Sequence, residues 1–286
     1  MKRRFETNVD TTELNREYPF SSHTPTSTNN FCQLLGLVSR RRLTQSVTKV
    51  FHSFFRPCLN PSSSISESPV WDPDTGFGGD GVPGTYTVPP DPANTSRIRP
   101  LAFRGCVQDG PFANYTLRLG PGQLISDHCL TRGLNDTASL FLNTTAIDYL
   151  MTLPTYDQFH LELEGSPAFA PDHRAHDGGH VAVGGEMSNF YSSPGGRSRP
   201  TLRLFNAFYI GLDPIFYLHH ANLDRIWWRW QKSAPPRLFQ VSGNTSISSP
   251  GNLTLDYLLQ MGNLGPTVPV RDVMDIHSEP YCYTYI

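Results

Sequence analysis

Several signals are missing from this 286-residue chain, and each absence removes a class of function. No apolar run approaches the roughly 20 residues that a membrane-spanning helix needs. The 23 basic and 25 acidic residues nearly cancel, so bulk charge points to neither nucleic acid nor an acidic surface as partner. The five cysteines (Cys32, Cys58, Cys106, Cys129 and Cys282) form no Cys-x-x-Cys pair, which argues against a thiolate zinc site. Cys106 and Cys129 share a turn-rich stretch and are a candidate disulfide, with geometry to decide. No internal repeat occurs. The glycines of "FGGDG" precede a proline-rich run rather than a helix, so they are no phosphate cradle. The opening "MKRRFETNVD" has basic residues without a following apolar stretch, so it is not a signal peptide. Hydrophobic content is only 38%, while Gly and Pro are frequent, which implies a modest core wrapped in loop.

Six Asn-x-Ser/Thr sequons stand against that start: Asn94, Asn114, Asn135, Asn143, Asn244 and Asn252. Such sites are modified only in the secretory pathway. The body therefore reads as secreted and the N-terminus does not.

The chain divides near residue 67. Within 1–66, "FCQLLGLVSRRRLTQSVTKVFHSFFRP" fits one or two amphipathic helices with a basic face of Arg40, Arg41, Arg42 and Lys49, or else a solvated, poorly ordered tail. A membrane-surface helix is the sharper alternative. "NPSSSISESP" reads as a linker. Residues 67 to about 135 are irregular backbone rich in Gly and Pro turns. Short helices are expected at 144–152 and 155–164, divided by Pro154, and at His176 to Val181. The strongest helical pattern is 213–232, with Pro214 in its first turn and Ile215, Leu218, Leu223, Ile226 and Trp230 as its apolar stripe. "LTLDYLLQMG" is a candidate short helix in a loop-rich tail.

The chemistry lies in the histidines. "DHRAHDGGHVAVGG" places His176 and His180 four apart, which on a helix puts both imidazoles on one face. Against this, His173 offers a competing pair, and each interior Gly of "HDGGH" costs a helix about 1 kcal/mol. The long helix adds the doublet His219 and His220. Adjacent helical residues point about 100° apart, so only one of them readily faces the same metal. Asp224 lies four residues beyond His220, on its face, where it would take a hydrogen bond from a ligating imidazole or buttress the helix beside it. His220 is therefore the expected third ligand and His219 its packed neighbour. Two helices each presenting imidazoles is how bundle metal sites are built. Three imidazoles suit Cu, Zn or Fe, and ligand type alone does not choose.

"DPIFYLHHANLDRIWWRWQ" resembles the second copper-binding signature of tyrosinases, catechol oxidases and molluscan-type haemocyanins, carried here by Asp213, Pro214, Phe216, His220 and Asp224. "HDGGHVAVGGEM" resembles that family's earlier His-x-x-x-His element with its Val-Gly-Gly turn. "FGGDG", "DGPF" and the closing "YCYTYI" are similar to fungal secreted members, and the resemblance covers roughly 67–286. It implies a mainly α, loop-rich fold: a four-helix bundle holding two coppers, each on three histidines, that oxidises phenols and o-diphenols to o-quinones with dioxygen. In those terms His176, His180 and His220 are copper ligands. Asp177 stands where many members carry Asn, an extra carboxylate beside the site.

The resemblance also marks what is missing. Upstream of residue 150 only His23, His52 and His128 occur, none in the family's first copper motif. The expectation is thus a partial bundle carrying the second copper-site helix pair and one copper, where complete members carry two. The dicopper reaction should then fail in this chain, and the absent upstream part would reconcile sequons with a start that lacks a signal peptide. Phenolic small molecules and dioxygen are the implied partners. Two other readings remain: a non-catalytic fragment with one copper or none, and a three-histidine zinc hydrolase, weakened because Asp177 is its sole candidate base.

Overall fold

The computed structural model describes residues 64–92, 103–122, 124–165, 175–188, 212–246, 249–260, 266–279 and 281–285. The amphipathic stretch at 31–57 and His173 lie outside them. Four α-helices occur among the described residues: α1 Thr144–Thr152, α2 Tyr156–Glu164, α3 Ala175–Val183 and α4 Ile215–Lys232.

Local chemistry sets most helix ends. Asn143 caps α1 by accepting from the Ala146 N–H at 2.9 Å. The helix stops at Leu153, which is extended (φ −68°, ψ 126°) because Pro154 follows and disfavours helical backbone before it. Thr155 caps α2, and Gly165, at φ +76°, ends it. At the start of α4, Asp213 accepts the Ile215 N–H at 3.1 Å. Within the candidate helix "LTLDYLLQMG", the described residues 253–260 instead form a turn followed by the strand Leu258–Leu259, paired with Val268–Pro269. Leu258 is mostly exposed there, so no apolar face exists to hold a helix down.

The four helices close a ring: α1 packs on α2 and α4, and α3 on α2 and α4. Its core holds Leu150, Phe159, Ala182, Val183, Ile215, Ile226 and Trp230. Trp230 stacks on Phe159 with centroids 4.8 Å apart, and its indole N–H donates to the Leu153 carbonyl at 2.8 Å. Ile65, Val70 and Trp71 belong to the same core, so burial already begins within the linker-like stretch.

Beside the ring lies a small antiparallel sheet of β1 Gly81–Pro83, β2 Gly105–Val107 and β5 Thr131–Arg132, in the order β1-β2-β5. A two-residue ladder pairs β3 Thr116–Leu117 with β4 His128–Cys129. The expected Cys106–Cys129 disulfide is formed and ties β2 to β4. A buried ion pair joins sheet to helices. Arg132 donates from Nε and Nη2 to the two Asp213 oxygens at 2.7 and 3.0 Å, both side chains fully buried. Its Nη1 donates to the carbonyls of Phe77, Gly78 and Gly79. The "FGGDG" loop and the Asp-Pro opening of α4 therefore share one guanidinium, which satisfies the buried charge on every side.

Candidate metal centre

Helix α3 presents His176 and His180 one turn apart, with their Nε2 atoms 3.2 Å from each other. The His180 Nδ1–H donates to the Met187 carbonyl at 2.6 Å, so in the neutral ring Nε2 is a bare acceptor. His176 Nδ1 lies 3.8 Å from Glu164 Oε2 at the end of α2, which favours the proton on that nitrogen as well. Two lone pairs facing at such a distance repel unless a proton or a cation sits between them. Burial, then the positive charge that His176 and His220 would carry, lowers the His180 pKa to about 3, with the Met187 bond opposing. Burial also lowers His176, against the Glu164 charge. Neutral imidazoles are the ligand form, and protons compete weakly here.

Helix α4 supplies the doublet. His219 is fully buried and donates Nε2–H to the His176 carbonyl at 2.9 Å. Its ring lies parallel to His176, centroids 5.9 Å apart, and its Nδ1 is buried without a partner. Burial pushes its pKa well down, helped by His180, His176 and His220. The His220 ring lies 5.2 Å from His176 and 5.6 Å from His180, leaning on Phe216 at 4.1 Å. Its Nε2 is likewise buried without a partner, and burial with the His176 charge lowers its pKa to about 4. Among the described residues, ring nitrogens of His176, His180 and His219 form a cluster within 4.8 Å. The residues thus suit a borderline-soft cation, with four neutral imidazoles and two orphaned ring nitrogens.

Of the two roles expected of Asp224, the bonds found fit a buttress of the helix rather than an imidazole partner: its Oδ2 accepts from Tyr283 at 2.6 Å and Tyr285 at 2.5 Å, and the Tyr285 hydroxyl also reaches the Ala221 carbonyl of α4. Burial and the Asp224 charge raise both phenol pKa values, so both stay neutral donors. Asp177 is buried on α3 beside His176. His128 binds Glu186 through Nε2 at 3.1 Å and is no part of the cluster. Tyr283, Tyr285, Glu164 and Glu186 carried no sequence signal for these roles, because their partners lie from 12 to about 60 positions away.

A cavity of about 280 Å³ opens beside His176 and His220, walled by Tyr156, Phe159, Leu163, Leu223 and Trp227, with His160, Glu164 and Asp224 at its polar points. Of the three tryptophans in the signature, Trp230 is core, Trp227 lines this cavity, and Trp228 packs on Tyr285 and under Lys232.

A loop-rich helical domain whose neighbouring helices converge imidazoles on one point has the arrangement from which bundle metal sites are built. Residues 43–233 match the family described as the common central domain of tyrosinase, and the chain belongs to the tyrosinase family. The match begins ahead of residue 67. The chain is 31% identical over 247 residues to Tyrosinase-like protein phomQ1 of Diaporthe leptostromiformis, covering 78% of this chain and 54% of that protein. It is 29% identical over 246 residues to Tyrosinase P of Aspergillus terreus, covering 78% and 64%. It therefore spans between about half and two-thirds of the length of these relatives. A solved polyphenol oxidase mutant from Thermothelomyces thermophila is similar at 26% identity and a TM-score of 0.56, over 81% of this chain and 64% of that one.

Proposed function

We propose that the chain carries the second copper site of a tyrosinase-type phenol oxidase, with His176, His180 and His220 as ligands. The observation that carries this reading is the 3.2 Å approach of two ring nitrogens, beside a third buried and unpartnered one on His220. When bound there, copper supplies the one-electron redox chemistry that turns phenols or o-diphenols into o-quinones with dioxygen. The protein holds the imidazoles neutral and fixed in orientation. The apolar walls of Phe159, Leu163, Leu223 and Trp227 suit an aromatic ring and exclude water from its face. This reading takes one copper per chain, because upstream of residue 150 the sequence offers only His23, His52 and His128, none in the family's first copper motif. Secretion and glycosylation at the six sequons belong to the same reading.

His220 is preferred to His219 on the likeness of Asp213, Pro214, Phe216, His220 and Asp224 to the family's second copper signature, while the His219 Nε2–H is bonded to the His176 carbonyl and its Nδ1 is left a bare, buried acceptor. The second reading, His219 as third ligand, draws on its place in the 4.8 Å cluster. Copper content after reconstitution tests both. The expected value is one ion per chain, lost in His220→Ala and kept in His219→Ala; the reverse pattern reassigns the ligand. Retained copper in both variants and in His180→Ala discards the site, and two ions per chain with o-quinone formation overturns the one-copper stoichiometry.

A further inference from the structure

The turn that follows α3, Gly185–Ser188, holds His180 by two bonds. The Met187 carbonyl accepts its Nδ1–H, and the Ser188 hydroxyl donates to its backbone carbonyl at 2.9 Å. Just ahead of both, Glu186 is fully buried, with its Oε1 bonded toward the strands and its Oε2 left without a partner. Its Oε1 lies 3.1 Å from both His128 Nε2 on β4 and Thr131 Oγ1 on β5. His128 adjoins Cys129, whose disulfide anchors β4 to β2. A cross-linked strand platform thus reaches the metal centre through one carboxylate. A buried carboxyl is costly unless its bonds are made, and an apolar side chain would fill this place more cheaply if packing were its sole role.

We propose that Glu186 is a positioning residue for the metal centre: by its bonds to His128 and Thr131 it fixes the turn whose Met187 carbonyl orients the His180 ring. This rests on the reading of His180 as a copper ligand.

The geometry also states how the strut responds to pH. His128 Nδ1 lies 2.8 Å from the Ser126 carbonyl, which can only accept, so that nitrogen carries a proton. The contact between His128 Nε2 and Glu186 Oε1 then holds one further proton, shared by imidazole and carboxyl. Burial alone would lower the His128 pKa, but the Glu186 contact, the Ser126 carbonyl and the Asp127 charge outweigh it, and the net shift is upward. Burial pushes the Glu186 carboxyl up, with His128 and Thr131 opposing and Asp213 adding to the rise. Tyr86, also close, is pushed up to about 12 by burial and the Glu186 charge and stays neutral. The shared proton is therefore kept above the ordinary histidine range. The strut is intact below the pair's pKa and weakens as pH rises through it, when a lone pair comes to face a carboxylate.

Copper affinity of the full chain, measured by chelator competition across pH with a thermal melt of each variant, tests this. Glu186→Ala should bind copper about 10- to 100-fold more weakly than wild type while remaining folded. Glu186→Gln, whose amide either accepts from or donates to His128, should bind nearly as wild type at neutral pH and lack the alkaline fall that wild type shows. His128→Leu, which keeps bulk and removes the bond, serves if Glu186→Ala does not fold, with the same expected weakening. Wild-type affinity in both truncating variants, or the same alkaline step in Glu186→Gln, overturns the role of Glu186 alone. A wild type that takes up no copper sinks the metal reading underneath it.

Discussion

Helix α3 spends nine residues almost wholly inside the protein, two of them adjacent glycines, whereas α4 runs eighteen residues with Tyr217, Arg229 and Lys232 left on its outer face. By intrinsic propensity α3 is a poor helix and α4 a good one. Close approach explains the difference. A Cβ on Gly178 would stand 2.6 Å from Phe141 Cβ, and one on Gly179 would stand 2.2 Å from the His219 ring. Gly179 lets α4 and its histidine doublet come within reach of His176 and His180, and Gly178 makes room for Phe141 on the other side of α3. One helix is held by its own pattern, the other by its neighbours.

The contrast can be broken at several points. The largest effect is on metal: His180→Ala on α3 and His220→Ala on α4 should each abolish copper uptake, read by metal content, since each removes one of the three proposed ligands. Next comes the anchor of α4. Asp213→Ala leaves the Arg132 guanidinium buried and unpaired and should cost about 3–5 kcal/mol in urea unfolding. On α3, Gly179→Ala gains up to about 1 kcal/mol of helix propensity but overpacks against His219, and a net loss of about 1–2 kcal/mol is expected. Arg229→Ala on the exposed face of α4 should stay within about 0.5 kcal/mol, and a loss equal to that of Gly179→Ala would erase the distinction drawn between the helices. The smallest effect expected at the site is Tyr285→Phe. It removes one of two phenol donors to Asp224 and should cost about 1 kcal/mol by thermal melt, leaving copper content unchanged.

Much of this was legible beforehand. Apolar spacing and Pro154 placed α1 and α2, and Pro214 with the stripe through Trp230 placed α4. The i, i+4 spacing of His176 and His180 was enough to put both rings on one face, because a helix turn does so whatever surrounds it. The same rule could not choose between the two roles open to Asp224. It stands one turn from His220, yet its partners are Tyr283 and Tyr285, about 60 residues on, and no local period encodes them. The tail helix failed for the reverse reason: "LTLDYLLQMG" has the residues for a helix but no surface against which to bury them.

From its residues alone, then, this protein's helix pair, its histidine spacing and its family could be named, since each is a pattern written within one turn or one motif. Which ring nitrogens face one another, what Asp224 and Glu186 hold, and why α3 tolerates two glycines were decided only in the folded chain. Those are contacts between segments far apart in sequence, and their energies exist only once burial has removed the water that would otherwise satisfy each group.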